Sequence, residues 1–172
     1  MPREYPASMS VEVVRAAPEF CRWEELLALL HAAFAYQADR IDPPSSLNAF
    51  DAESIAAKAR EEHLFLAVDD AELIGCVFAK PKPGSLYVGK LAVLPSRQGQ
   101  GVGRRLMAAT EDFARRAGVA ILELDTRIEL TENHQTFAAL GFVKTGEHAH
   151  DGYDHPTFIT MQKSLDQARG AA

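Results

Sequence analysis

Apolar positions recur along the chain in two rhythms. After Pro18 and Glu19 they fall at Trp23, Leu26, Leu27, Leu30 and Phe34, the i, i+3, i+4, i+7 spacing of one buried helix face. That helix is predicted to open at Pro18–Glu19 and to stop before Pro43 and Pro44, which cannot continue it. A second helix is predicted over 51–62 with Asp51 as its N-cap. Residues 64–68 form a continuous apolar run instead, as in a strand covered on both faces, and 11–14 read as an earlier strand. Turn residues at 69–72 and 81–84 separate further strands at 73–79 and 86–93; Gly89 marks a bulge in the second of these. Helical spacing returns over 101–117, with Leu106, Thr110, Phe113 and Ala117 on one face and Gly118 as the stop. A strand at 119–126, a short helix at 131–140 and strands at 141–147 and 157–163 complete the chain. The order β-α-α-β-β-β-α-β-α-β-β predicts one mixed α/β domain over residues 11–165, with short tails at 1–10 and 166–172.

Composition narrows the class. The chain has 172 residues, 47% hydrophobic and 24% charged, which suits one globular domain. No apolar run approaches the roughly 20 residues of a membrane-spanning helix. The first residues, Met1 to Pro6, do not build a signal peptide, so a cytoplasmic protein without membrane partners is expected. Cys21 and Cys76 lack metal-ligand spacing and are expected to be small buried apolar residues. The six histidines lack zinc spacing, and no metal is expected; only His148 and His150 would share a strand face. A net charge of -6 excludes a broad nucleic-acid surface. Its distribution is uneven: residues 97–116 hold five arginines against Glu111 and Asp112, a net +3, whereas 1–62 and 117–172 carry -5 and -4.

The positive segment holds the candidate chemistry. Residues 91–104 read as strand, glycine loop, helix, with Gly99, Gly101 and Gly103 in the loop and Arg97 and Arg104 flanking it. A helix N-terminus leaves about four backbone N–H groups unpaired and carries roughly half a positive charge. Glycines let a ligand approach that backbone, so the pattern predicts a cradle for a phosphate or pyrophosphate. Neither the dinucleotide fingerprint, with Arg104 where its third glycine should be, nor the P-loop pattern fits.

Gln98-Gly99-Gln100-Gly101-Val102-Gly103 matches the Q/R-x-x-G-x-G/A signature of the GNAT superfamily of acyl-CoA-dependent N-acetyltransferases. Leu91-Ala92-Val93-Leu94-Pro95 is similar to the strand before it in that family, and Leu140-Gly141-Phe142 to a later landmark. The resemblance spans residues 11–163. It implies a twisted mixed sheet whose strands 86–93 and 119–126 splay apart. The pantetheine arm of acetyl-CoA would lie between them along Leu91, Ala92 and Val93, and the pyrophosphate on Gln98, Gly99, Gln100, Gly101, Val102, Gly103 and Arg104. It implies transfer of an acetyl group to a primary amine in a ternary complex, and leaves a homodimer open.

The match weakens where many members carry a tyrosine general acid, four residues before the Gly-Phe landmark: here stands Phe137. The asparagine those members place seven residues earlier is Leu130, and Asn133, one turn on, is expected to take over its hydrogen bond to the cofactor. Candidates for proton transfer are Tyr87, Glu129, Tyr153 and His155, with water as the alternative. The acceptor pocket is expected to use Tyr36, Arg40, Asp42 and Ser45–Ser46 on one side and residues 147–155, His155 among them, on the other. These lie in the acidic blocks, so a cationic acceptor is expected; Arg40 and Arg127 would instead favour a carboxylate. The competing function is an acyl-CoA-binding sensor without catalysis, which Phe137 favours.

Overall fold

The computed structural model describes residues 10–165. The expected tails lie outside them except for Ser10, which donates to Asp69 Oδ1 at 3.2 Å. The elements are β1 (Val11–Arg15), α1 (Trp23–Phe34), α2 (Ala52–Glu61), β2 (His63–Asp69), β3 (Glu72–Lys82), β4 (Ser85–Val93), α3 (Val102–Arg116), β5 (Ile121–Arg127), α4 (Thr131–Ala139), β6 (Val143–His148) and β7 (Phe158–Ser164), with three short 3-10 turns between them. Their order is the predicted one. They build a seven-stranded sheet, β1-β2-β3-β4-β5-β7-β6, in which β4 and β5 are the one parallel pair.

Helices cover the two faces unequally. On one face Val102, Leu106, Met107 and Ala114 of α3 pack against Phe65, Ile74, Val77, Leu86, Leu122 and Met161. On the other, Leu26 and Leu30 of α1 and Ile55 of α2 pack against Leu64, Leu66, Cys76 and Phe78. Strands β2 and β3 are therefore apolar on both sides, which is why 64–68 reads as a continuous run. β5 alternates: Leu122 and Leu124 enter the α3 core, while Glu123 and Asp125 bond Gln162 and Thr160 on the opposite face.

Local signals explain most boundaries. Asp51 caps α2 by accepting from Ser54 N–H at 2.8 Å, and Ser54 Oγ accepts from Asp51 N–H at 2.8 Å, a reciprocal box. Gly118 ends α3, with its N–H on Arg115 O at 3.1 Å and Val119 N–H on Ala114 O at 2.8 Å, the Schellman pattern.

Several expectations shift. Helix α1 starts at Trp23 rather than Pro18, because Phe20 N–H closes a separate turn on Ala17 O at 2.9 Å. Its buried residues are Leu26, Leu29, Leu30 and Ala33, with Trp23, Leu27 and Phe34 only partly buried beside them. Cys21 thus precedes the helix and is exposed, whereas Cys76 is buried and burial pushes its thiol up to about 12. The bulge in β4 follows Gly89: between the pairs Cys76↔Ala92 and Phe78↔Gly89, β4 holds one residue more than β3, and Lys90 adopts φ 49°.

A partly buried histidine lies on the α3 side. Arg15 Nη2 lies 2.5 Å from His63 Nδ1, and the His63 ring packs on Phe113 at 4.4 Å. Burial, then the nearby Arg15 charge, lowers the His63 pKa below its usual 6.5. The folded state resists a proton that the unfolded chain accepts, so this contribution to stability is complete above about pH 6.5 and shrinks as pH falls toward the folded value. Urea midpoints from pH 7.5 to 5 are expected to fall less steeply in His63→Gln than in the wild type. Parallel slopes would refute this assignment.

Candidate functional site

The parallel strands β4 and β5 pair at Leu86↔Leu122 and Tyr87↔Glu123 and then part. Between them opens a cavity of about 700 Å³, walled by residues 88–93 on one side and 124–127 on the other. Tyr36, Ser45 and Ser46, Asn133, Thr136 and Phe137 of α4, and His150 and Phe158 line it as well. The volume is that of a small-molecule site.

At one end the cavity meets the glycine loop. Gly99 and Gly101 take φ of 76° and 80°, the left-handed region that favours glycine, and a Cβ on either would touch no protein atom within 4 Å. Gly101 is the N-cap of α3 and no side chain caps it. Arg105 N–H reaches Gly101 O at 3.1 Å; the N–H groups of Val102, Gly103 and Arg104 precede it and have no intrahelical acceptor. This is an open anion cradle. Gln98 and Gly103 also line the cavity, and Gln98 Nε2 donates to Val93 O at 3.1 Å. Along β4 a ligand therefore meets Val93 with its carbonyl already engaged.

The charge at the loop is narrower than the sequence count. Arg97 is not free for an anion: it pairs with Asp69 at 2.5 Å and donates to Gln100 Oε1 at 3.2 Å, bracing the loop. Arg115 and Arg116 pair with Glu111 and Asp112 along the helix. Among the described residues, Arg104 and Arg105 have no ion-pair partner.

Tyr87 stands where the strands part and lines the cavity. Its hydroxyl donates to Asp125 Oδ2 at 3.0 Å, and Asp125 Oδ1 accepts from Thr160 Oγ1 at 2.7 Å. Burial, then the Asp125 carboxylate, pushes the phenol pKa up, so Tyr87 holds its proton.

The other nominated polar residues mostly engage one another. Arg40 pairs with Glu132. Asp42 donates its N–H to Glu129 Oε2 at 3.2 Å and accepts from the Tyr153 hydroxyl at 2.5 Å. Arg127 donates to the carbonyls of Pro43 and Pro44 at 2.7 and 3.2 Å, and Asn133 Nδ2 to the Tyr36 hydroxyl at 3.1 Å. These bonds strap residues 36–44 across the cleft. Tyr36, Asn133, Phe137 and Arg127 line the cavity, whereas Glu129, Tyr153, Arg40 and Asp42 lie in the strap outside its lining. His155 is exposed beside Asp154, at 2.9 Å, and does not line it either. Leu91, Ala92 and Val93 form the β4 wall.

Among the lining residues without an assigned chemical role are Lys90, Glu132, Asp125 and His150. Asp125 follows from the alternation of β5. His150 does not: β6 ends at His148, so His150 leaves the strand face it was expected to share and enters the cavity wall from a loop. Its N–H donates to Thr157 Oγ1 at 2.9 Å, and its Nδ1 contacts the same oxygen. Among the described residues no three potential metal ligands cluster, and no helix is long and apolar enough to cross a membrane.

A parallel pair that splays beside an uncapped glycine-loop helix defines a protein built to take an elongated, anion-ended ligand into its sheet. The Acetyltransferase (GNAT) family model matches residues 23–142, and the chain belongs to that family. It is similar to an aminoglycoside N(6')-acetyltransferase type 1 of Stenotrophomonas maltophilia, 43% identical over 53 residues, 31% of this chain and 35% of the relative. It is similar also to an aminoalkylphosphonate N-acetyltransferase of Salmonella typhimurium, 30% identical over 86 residues, 46% of this chain and 56% of the relative. The matched stretches thus span between one third and three fifths of these relatives' lengths. The fold is that of the PaiA N-acetyltransferase from Thermoplasma acidophilum in complex with coenzyme A, at TM-score 0.75 and 16% identity, covering 91% of this chain and 100% of the other.

Proposed function

We propose that this protein transfers the acetyl group of acetyl-CoA to a primary amine, both bound at once. The observation that carries the reading is the parting of β4 and β5 beyond Tyr87 and Glu123, which leaves a strand-wide slot ending at the uncapped start of α3. Bound acetyl-CoA supplies an activated thioester. The chain's own part is to bind and orient it. The N–H groups of Gly99 to Arg104 receive the pyrophosphate, Arg104 adds charge, and the edge of β4 that β5 leaves unpaired at Leu91 and Val93 guides the pantetheine, the Val93 carbonyl being held by Gln98. Asn133 and Phe137 flank the same arm from α4. Tyr87, kept protonated, stands where the strands part; its one hydroxyl hydrogen, held by Asp125, would turn to a leaving thiolate there.

The proposed acceptor is cationic: an amino sugar, a polyamine or a peptide amine. Asp125 faces the cavity with hydroxyl partners alone, Tyr87 and Thr160, and has no ion-pair partner among the described residues. An ammonium would supply it. Calorimetry with acetyl-CoA, followed by release of CoA thiol across an amine panel, tests the reading. Asp125→Asn is expected to raise the acceptor KM about tenfold, the loss of one charged hydrogen bond, and to leave acetyl-CoA affinity unchanged. Preference for anionic amines would refute the cationic acceptor. Phe137, lacking a proton to donate, favours a second reading, an acyl-CoA-binding module without catalysis; binding with no thiol release from any amine would establish it.

A further inference from the structure

We propose that His150 accepts the proton of the incoming ammonium, and that the buried Thr157 hydroxyl is the positioning group that fixes its tautomer. This rests on the transferase reading above and adds the group that reading lacks. A primary ammonium must lose a proton before it attacks a thioester. Tyr87 is a donor, and in the reading above Asp125 is given to holding the ammonium's charge. His150 lies in the wall of the same cavity.

The contacts of Thr157 carry the proposed tautomer. Thr157 is 1% exposed. Its oxygen accepts the His150 N–H at 2.9 Å and meets Nδ1 of the ring. A hydroxyl has one hydrogen to give; in the proposed tautomer it turns to the His148 carbonyl, 3.5 Å away, which also accepts the Thr157 N–H at 2.8 Å. With its hydrogen directed there, Thr157 accepts from Nδ1–H, and the lone pair stays on Nε2. Phe158 and Tyr153 pack edge-on to the ring, at 4.9 and 6.4 Å, and hold its orientation.

The charges about the ring are Arg127 and Asp125 on β5, Glu129 after it, and Asp151 beside it. Burial, then Arg127, outweighs the carboxylates and holds the imidazole below its ordinary pKa, so it is neutral at pH 7. The acceptor ammonium gives one proton to Nε2. The freed nitrogen lone pair forms the C–N bond at the thioester carbon, and collapse of the tetrahedral adduct breaks the C–S bond. The nitrogen's surplus proton passes to the thiolate sulfur, through the Tyr87 hydroxyl or water. The imidazolium then releases its proton to solvent.

Long-range nitrogen–proton correlation spectra of the full chain read the tautomer directly. The expected result is Nδ1–H at His150 with a titration below 6.5; an Nε2–H tautomer would overturn the proposal even with no acceptor in hand. In kinetics, His150→Gln is expected to lower kcat/KM at pH 7 about a hundredfold, within the usual range for a lost acid–base group. Its acetyl-CoA affinity should be unchanged, and the deficit should close as pH rises and the amine loses its proton unaided. Thr157→Val should mix the tautomers and move the acidic limb, and Thr157→Ser should restore both. An active His150→Gln with the wild-type pH profile would sink this proposal alone. A wild-type protein that binds acetyl-CoA yet acetylates no amine would sink it together with the transferase reading.

Discussion

Gly101→Val is expected to weaken acetyl-CoA binding by a factor of about a hundred to a thousand while the protein stays folded. Gly101 holds φ 80° as the N-cap of α3, and a left-handed conformation costs an L-residue roughly 1–2 kcal/mol. The protein itself makes no steric objection, since a Cβ there meets nothing within 4 Å. A valine therefore relaxes by rotating out of the left-handed region. That rotation turns the first N–H groups of the helix away from a common focus. Binding must then restore the strained loop or forgo its bonds. Two lost hydrogen bonds to a charged group, at about 1.5–3 kcal/mol each, are enough for the stated range. Gly84→Val is the control: it has φ 77° and equally open space, but sits in the β3–β4 turn. It pays the same conformational cost in stability and should bind acetyl-CoA as the wild type does. Equal dissociation constants for Gly101→Val and Gly84→Val, measured by calorimetry, would show that the loop geometry does not hold the ligand.

What could be read from the sequence is what depends on neighbours along the chain. The Asp51 cap, the Gly118 stop and the glycine loop are each set within a few residues, and each lies where expected. The helix faces turn from the expected ones, α1 burying Leu29 and Ala33 while Trp23 and Phe34 stay partly exposed, and α3 burying Met107 and Ala114 while Ala117 is exposed. The splay of β4 and β5 was implied by resemblance; periodicity is silent on it, because strands that part carry the same alternation as strands that pair. The polar residues are the harder case. Arg40, Asp42, Glu129 and Tyr153 look like free chemistry in a linear sequence. In three dimensions Asp42 bonds Glu129 and Tyr153, and Arg40 bonds Glu132, across separations of about 90 to 110 residues, so their donors and acceptors are engaged in the strap. Arg97 was legible as a charge beside the loop, but its partner Asp69 lies 28 residues away, in β2. Asp125 needed only the alternation of β5. His150 falls within the 147–155 segment expected at the acceptor pocket, but that it is this residue which enters the wall depends on a loop that closes on Thr157, which pattern does not show.

The other large effect expected is on stability, from Phe142→Ala. Phe142 is 1% exposed within the core that α3 builds on the sheet. Removing a buried phenyl ring costs about 3–5 kcal/mol in transfer energy and cavity. At roughly 2–4 °C per kcal/mol for a chain of this size, the melting temperature should fall by about 6–20 °C. The position also bears on the site. Phe142 N–H donates to Phe137 O at 3.0 Å, and the two rings meet edge-on at 6.1 Å. Phe137 in turn lines the cleft. With the ring behind it gone, Phe137 can fall back into the void, so the alanine variant, assayed well below its melting temperature, should also bind acetyl-CoA several-fold more weakly. Phe142→Leu leaves a smaller cavity and should lose roughly half the stability and little of the affinity. The two readouts separate the roles: a melting loss with unchanged affinity makes Phe142 core alone, whereas a parallel loss ties the α4 wall of the cleft to the packing beneath it.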